Sequence, residues 1–222
     1  MGRRAKTFTI AGICIGFVLA GAAAELVFLP RAVPSPLLPL KNTPPPTLSQ
    51  EKMEVLLARV AKSLDPDLRS RLADAVLTES ARGGYDPLFI LALVAVESRF
   101  RISVSSERGA YGLMQLKPST FAWIAGREPD LADDAAVAED PVLDVRMAVR
   151  YFRWLEHRFH SRDEALMAYN AGPRRLQQYK KTGIPGSVKE YARKVMREYQ
   201  RFVKMAAGGA DPGGGVMLAR VN

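Results

Sequence analysis

Cysteine and histidine are scarce in this chain of 222 residues, which contains one cysteine and two histidines. A single cysteine excludes an intramolecular disulfide and any zinc site built from several cysteines. His157 and His160 stand three positions apart on a predicted helix, without the H-E-x-x-H pattern that binds zinc. We therefore predict no metal site, and interpret both rings as exposed helix polarity.

Signatures of other common enzyme classes are also missing. The sequence has no G-x-S-x-G pattern, and its glycine-rich stretch 208–215 neither follows a strand nor precedes a helix, as a phosphate-binding loop would. No stretch alternates polar and apolar residues for long enough to predict a strand. We expect no cofactor and a mainly α fold, with six to eight short helices and little or no sheet.

The N-terminal residues predict export. Residues 8–29 form a 22-residue apolar run interrupted only by Glu25, and about 20 apolar residues are needed to cross the hydrocarbon core as a helix. Basic residues before the run keep the N-terminus in the cytoplasm and direct the rest outward. We interpret residues 1–29 as a membrane signal-anchor. The alternative is a signal peptide cleaved after the alanines at 22–24, and both interpretations export the remainder.

Composition divides the rest of the chain into three parts. Residues 30–48 are proline-rich and predict an extended, semi-rigid linker. Residues 49–205 carry the helical patterns and form the predicted folded domain, whereas residues 206–222 form a flexible glycine-rich tail. The surplus positive charge lies at the two ends: residues 49–170 have sixteen basic and nineteen acidic side chains, and residues 171–222 have eleven and three.

Helix starts are strongly marked in the domain. Asp65, Asp86 and Asp140 each precede a proline and an apolar periodic stretch, the pattern of an N-cap followed by proline at the first helical position. Ser161 and Ser187 each stand three positions before a glutamate, which predicts two capping boxes. The glycines at 83 and 84 predict the end of the helix that begins at Asp65.

The helix after Asp86 contains the first candidate for chemistry. Residues 88–96 are nine consecutive apolar residues, so we expect every face of this helix to be buried. Glu97 follows directly. Apolar surroundings disfavour the ionised carboxylate and raise its pKa, which suits a proton donor. Pairing with Arg99 or Arg101 is the structural alternative.

Three motifs in register around Glu97 carry a resemblance. The sequence resembles the lytic transglycosylase domain of the soluble-transglycosylase (SLT) type over roughly residues 79–200. That family has a lysozyme-like, mainly helical fold and cleaves peptidoglycan. The motifs are Glu97-Ser98-x-Phe100, then Gly109-Ala110-Tyr111-Gly112-Leu113-Met114-Gln115-Leu116-x-Pro118-x-Thr120, then Ala168-Tyr169-Asn170-Ala171-Gly172-Pro173.

The resemblance implies a single catalytic carboxylate, Glu97, and a 1,6-anhydro product. Ordinary glycosidases use two carboxylates, and from the sequence Glu107, Asp86 or Glu79 could lie near the cleft. A muramidase-type hydrolase on the same fold therefore stays open, as does an idle wall-binding or scaffold module. The expected partners are glycan strands and the inner membrane, with the domain in the periplasm and assembly partners unspecified.

The other implied roles fall on matching positions. Tyr169 would be the hydrogen-bond partner of Glu97, Met114 and Gln115 would form the floor, and Tyr191 lies on the last helix. Plain core is the alternative for Tyr169 and Met114, and a helix stop for Asn170. The implied substrate-binding residues are Ser106, Gly109, Gly112, Met114, Gln115, Tyr169, Asn170 and Tyr191.

The last helix departs from the family pattern. The family commonly has Glu-Thr four and three residues before the tyrosine, where this chain has Ser187 and Val188; Glu190 is a candidate substitute. The same helix, 189–204, has a basic face. Such a face could bind nucleic acid, but an exported chain rarely meets any. We expect no nucleic acid and favour anionic wall polymer or lipid headgroups, with a solvated face as the default.

Overall fold

A computed structural model describes residues 48–132 and 140–208 of the chain. The predicted membrane segment 1–29, the linker up to residue 47 and the tail beyond 208 lie outside these residues. Within them no helix is both long enough and apolar enough to span a bilayer. The described residues all belong to one compact unit.

The described part of the chain is helical, with nine α-helices and no strand. The number exceeds the expected six to eight, and the sequence patterns marked five helix starts. The helices are α1 Gln50–Val60, α2 Pro66–Gly83, α3 Pro87–Ser98, α4 Pro118–Ala125, α5 Pro129–Ala132, α6 Pro141–Phe159, α7 Arg162–Ala171, α8 Pro173–Thr182 and α9 Gly186–Ala206.

The predicted caps are confirmed at four of five helix starts. Asp65, Asp86 and Asp140 accept backbone N–H groups of the first turn at 2.9 Å and are each followed by proline. Ser161 accepts the N–H of Glu164 at 3.3 Å. These contacts satisfy donors that have no partner inside the helix. The start predicted at Ser187 is wrong, since α9 begins at Gly186 after Pro185, without a side-chain cap.

Helix α3 is the centre of the fold. Every residue from Leu88 to Val94 is buried, and α3 packs against α9 and α2. The expectation that every face is buried fails at the end, because Ala95 and Val96 are partly exposed. The helix therefore leaves the buried core just before Glu97.

The other helices pack around α3 and against one another. Helix α6 packs against α2 and α7, and α7 against α9, so that Phe89, Phe152 and Tyr85 form a buried aromatic cluster with ring centroids 5.4–6.0 Å apart. Residues 99–117, here called the site loop, join α3 to α4. Isolated bridges in this loop pair Tyr111 with Ser105 and with Leu116.

Candidate active site

Glu97 stands in the last turn of α3, where the backbone turns sharply. Arg99 and Phe100 both adopt left-handed conformations, with φ of 55° and 61°. Residues other than glycine rarely hold such angles, and they persist where the surroundings enforce them. Phe100 is buried and fixes the turn in the core. Glu97 itself is half-buried at this end of α3.

Tyr191 is the hydrogen-bond partner of Glu97. Its hydroxyl, on α9, donates to Oε1 of Glu97 in a short hydrogen bond. The predicted partner, Tyr169 on α7, instead donates its hydroxyl to the carbonyl oxygen of Met114 at 2.8 Å. The resemblance implied Tyr169 as the partner of Glu97 and placed Tyr191 only on the last helix, so the predicted hydrogen bond from Tyr169 is wrong.

The surroundings of Glu97 favour its protonated form. Burial raises its pKa from 4.5 to about 7, the hydrogen bond from Tyr191 and the charge of Lys194 lower it, and the nearby Asp144 raises it. Removal from water acts most strongly because it disfavours the charged state. Near neutral pH a large fraction of Glu97 therefore keeps its proton and can donate it.

The side chains of Ser106 and Gln115 hold the site loop together. The Ser106 hydroxyl accepts the N–H of Ala110 at 3.0 Å. The Gln115 amide donates to the carbonyls of Val104 and Gly112 at 2.8 and 2.9 Å. Both hydrogens of that amide are therefore engaged, and its oxygen is the part left to accept a further hydrogen bond.

Gly112 and Met114 connect the site loop to the core. Gly112 has φ of 83°, and a Cβ there would lie 2.5 Å from Oδ2 of Asp144, so the close approach itself requires glycine. Gly109 has φ of 73° in the exposed turn. The Met114 side chain is fully buried, which favours a role in the hydrophobic core over contact with a ligand.

Asp144, on α6, is a functional candidate that sequence reasoning missed. It is 6% exposed, and its Oδ2 accepts the backbone N–H of Met114 at 2.8 Å. Burial raises its pKa to about 7, although hydrogen bonds from Met114 and Leu113 oppose this. One signal could have revealed it: Asp144 lies four residues before Ala148 and eight before Phe152, on the apolar stripe of its helix.

The carboxylates that the sequence left open as a second catalytic group either lie away from Glu97, bind an arginine or are exposed. Asp86 caps α3 at its start, roughly 16 Å along the helix from Glu97. Glu79 is 1% exposed and bound by Arg150. Glu107 is exposed on the site loop. Glu190 does not compensate for Ser187, because its carboxylate binds Arg193 and Arg197 on the outer face of α9.

A family profile described as "Transglycosylase SLT domain" matches residues 74–191, more than half of the chain. The chain belongs to this family. The matched SLT region begins within α2, includes Glu97 and the whole site loop, and ends at Tyr191, so it spans every predicted site residue. The family resemblance drawn from the three motifs is confirmed.

Curated relatives match the SLT region in part. "Endo-type membrane-bound lytic murein transglycosylase A" of Klebsiella pneumoniae is 38% identical over 79 residues, covering 35% of this chain and 39% of that protein. The protein of the same name from Citrobacter koseri is 36% identical over 76 residues, 33% and 37% of the two lengths. The match thus spans about two fifths of these relatives.

Solved structures share the SLT fold. An inactive mutant of the lytic transglycosylase Slt from Pseudomonas aeruginosa superposes with a TM-score of 0.54 at 20% identity, over 72% of this chain and 30% of that chain. The 70 kDa soluble lytic transglycosylase from Escherichia coli gives 0.52 at 21% identity, over 72% and 29%. At such identities the likeness establishes the fold alone, and it confirms the lysozyme-like helical prediction.

The remaining polar residues that the sequence singled out are exposed. Asn170 is exposed at the end of α7, one residue after Tyr169. His157 and His160 are exposed on and just after α6, far from any third ligand in the described ranges. The basic face of α9 is also exposed at Arg193, Lys194 and Arg197.

Proposed function

We propose that this chain is a peptidoglycan lytic transglycosylase in which Glu97 is the single catalytic carboxyl. One observation carries the proposal: a carboxyl with a pKa raised to about 7 sits at the partly exposed end of a buried helix, under the hydroxyl of Tyr191. A general acid works best with a pKa near the working pH. Family membership supplies the reaction class.

In the proposed reaction Glu97 first donates a proton and later accepts one. Protonated Glu97 donates to the glycosidic oxygen between N-acetylmuramic acid and N-acetylglucosamine, and the bond from that oxygen to the muramoyl C1 breaks. The substrate's own N-acetyl group stabilises the positive charge at C1. Ionised Glu97, steadied by Tyr191, then takes the proton of the C6 hydroxyl as that oxygen attacks C1. The product is a 1,6-anhydro ring, without net consumption of water.

The positions of the other carboxylates favour this route over a muramidase-type hydrolase. A hydrolase with two carboxylates places the second one where it can flank the scissile bond. Asp144 is buried and engaged by the loop backbone, and Glu79 is held by Arg150. Glu107 is exposed on the site loop and is the remaining candidate.

The substrate-binding roles are part of the proposal. Glycan would lie between the site loop and the end of α7, where Gly109 and Ser106 are exposed and Asn170 offers its amide. Gln115 would contribute its amide oxygen, and Tyr169 would support the floor through the carbonyl of Met114. Gly112 and Met114 act by shaping this floor, while Tyr191 acts through Glu97.

We also propose that residues 1–29 anchor the enzyme in the inner membrane, with the SLT domain in the periplasm. The apolar run and its basic flank support this, as does the word "membrane-bound" in the names of the Klebsiella and Citrobacter relatives. Cleavage after the alanines at 22–24 would instead release a shorter periplasmic protein. The mass of the membrane-extracted protein, compared with the full 24.4 kDa chain, separates the two.

Mass spectrometry of sacculi digested by the purified full-length chain tests the activity. We expect anhydro-muropeptides as products. Glu97→Gln should lower the rate by at least about 100-fold, since it removes the proton while keeping the shape. Glu107→Gln is the matched control and should cleave normally.

Each other outcome of this digestion has a definite meaning. Reducing ends with loss of activity in Glu107→Gln would establish a two-carboxylate hydrolase. Native activity in Glu97→Gln would remove Glu97 as the acid. Binding of sacculi without cleavage by the unaltered chain would favour the idle wall-binding module.

A further inference from the structure

Asp144 is a buried carboxylate for which the proposed reaction has no step. Its Oδ2 accepts the N–H of Met114 at 2.8 Å, and the N–H of Leu113 is a second donor. A buried carboxylate is retained where the groups around it compensate for the loss of water. Here the compensating groups are the backbone of the site loop, so the aspartate and the loop hold each other in place.

The loop backbone is shaped around this carboxylate. Gly112 passes so close to Asp144 that a Cβ would lie 2.5 Å from Oδ2. Gln115, three positions later, has the left-handed φ of 50°, a strained value for a residue other than glycine. The conformation of residues 112–115 therefore depends on an acceptor at the position of Asp144.

The contacts of Asp144 lead to Glu97 in two ways. The N–H of Met114 donates to Asp144, and its carbonyl oxygen accepts the Tyr169 hydroxyl at 2.8 Å. The charges of Glu97 and Asp144 both act on Tyr169. The charge of Asp144 also acts directly on Glu97. The buried aspartate and the proposed acid thus belong to one electrostatic unit.

We propose that Asp144 is a positioning residue for the reaction of Glu97: its carboxylate anchors the backbone of Leu113 and Met114 under the cleft and places a second ionisable group beside the acid. The inference rests on the proposed function of Glu97. Four groups on neighbouring helices interact electrostatically with Glu97, and one of them, Tyr191, also hydrogen-bonds to it. They are Tyr191 and Lys194 on α9, Tyr169 on α7 and Asp144 on α6.

This arrangement has a consequence for proton release. Two interacting carboxyls lose their protons in two steps that belong to the pair. As the pH rises, ionisation of either carboxyl makes the second proton harder to remove. Glu97 should therefore keep its proton to a higher pH than it would beside a neutral residue, and its titration should be broad.

Titration of the Glu97 carboxyl by carbon-13 NMR in full-length Asp144→Asn tests the charge. The substitution keeps an oxygen that can accept from Met114 but removes the charge. We expect Glu97 to titrate at lower pH and in a single step. Cleavage of sacculi on the alkaline side of the profile should fall about 3- to 10-fold, with the acid plateau within about twofold. Asp74→Asn removes an exposed charge on α2 and is the matched control. It should leave the Glu97 titration and the pH profile of cleavage unchanged.

Amide hydrogen exchange in Asp144→Ala tests the anchoring. Loss of the acceptor should speed exchange at Met114 by at least about tenfold, whereas Asp144→Asn should retain protection. If the alanine variant does not fold, Gly112→Ala makes the same test by pushing the carboxylate away from the loop.

The two proposals fail separately. A Glu97 titration identical in the unaltered chain and in Asp144→Asn would overturn the electrostatic part, and unchanged exchange at Met114 in the alanine and Gly112 variants would overturn the anchoring. A shifted titration combined with full activity of Glu97→Gln would instead sustain the role of Asp144 and remove Glu97 as the acid.

Discussion

Two regions of this molecule bury carboxylates and surround them with different hydrogen-bond donors. The Arg150 cluster consists of Arg150, Glu79, Glu128 and Asp130. Arg150 and Glu79 have side chains only 2% and 1% exposed, and their charged groups are 3.0 Å apart. The guanidinium also reaches Glu128 at 2.7 Å. Hydrogen bonds from Arg150 hold the pKa of Asp130 well below its usual range, so the carboxyl of Asp130 is ionised.

The donors at the Glu97 site are of a different kind. Glu97 and Asp144 receive hydrogen bonds from a tyrosine hydroxyl and from backbone N–H groups, and the pKa of each is raised to about 7. Both regions use the same helix, since Asp144 and Arg150 stand six positions apart on α6. Glu79, Glu97 and Asp144 are all largely removed from water, and the two regions differ in the donors that meet these carboxyls: a guanidinium in one, and a hydroxyl and backbone N–H groups in the other.

Removing the cation from the Arg150 cluster should have the largest effect on stability. Arg150→Met leaves Glu79 buried without its main partner, which should lower the free energy of unfolding by about 3–5 kcal/mol. Urea denaturation measures this. The matched control is Arg71→Met, which breaks an exposed pair with Asp67 and should change little. Equal effects of the two substitutions would mean that the cluster is not a buried ion network.

Part of the fold and the position of Glu97 could be predicted from local sequence. The caps at Asp65, Asp86 and Asp140 depend on neighbouring residues only, and they placed α2, α3 and α6 correctly. An unbroken apolar run followed by Glu97 also predicted a carboxyl at the edge of the core. Local patterns suffice wherever the chemistry lies within one turn of helix.

Contacts between distant helices could not be predicted in the same way. Tyr169 was expected at Glu97 and Tyr191 only on the last helix, and which hydroxyl reaches Glu97 depends on how α7 and α9 pack. The distance along the chain from Glu97 to Tyr191 is 94 residues. Asp144 escaped notice because a lone acidic residue near a helix start resembles ordinary first-turn polarity.

Neutralising Glu97 should stabilise the protein at alkaline pH, opposite to the change at Arg150. The folded pKa of Glu97 is about 7 against a usual 4.5, so its stabilising effect is complete below about pH 4.5 and lost as the pH rises through 7. Glu97→Gln removes this loss. Urea denaturation at pH 8 should give a free energy of unfolding about 1–3 kcal/mol higher than that of the unaltered chain.

The comparison at acid pH provides the control for Glu97→Gln. At pH 4 the unaltered chain and the variant should differ little, because Glu97 is protonated in both the folded and the unfolded states. A constant difference across the pH range would contradict the raised pKa.

A smaller effect is expected when the donor to Glu97 is removed. In Tyr191→Phe the ionised carboxylate loses its hydrogen bond, so the pKa of Glu97 should rise further and the rate should fall about tenfold. The pH profile of sacculus cleavage measures both. Tyr199→Phe is a close control, since the Tyr199 hydroxyl donates to Asp86 at 2.7 Å at the other end of α3. A matching change in both variants would indicate a general effect of α9 packing.

The protonation state of Glu97 near neutral pH is the central claim, and carbon-13 NMR titration of its carboxyl in the substrate-free chain tests it most directly. The signal is assigned by its absence in Glu97→Gln. We predict that this carboxyl is still substantially protonated at pH 6 and titrates near 7. A carboxyl that titrates near 4.5, as a solvated glutamate does, would contradict the account.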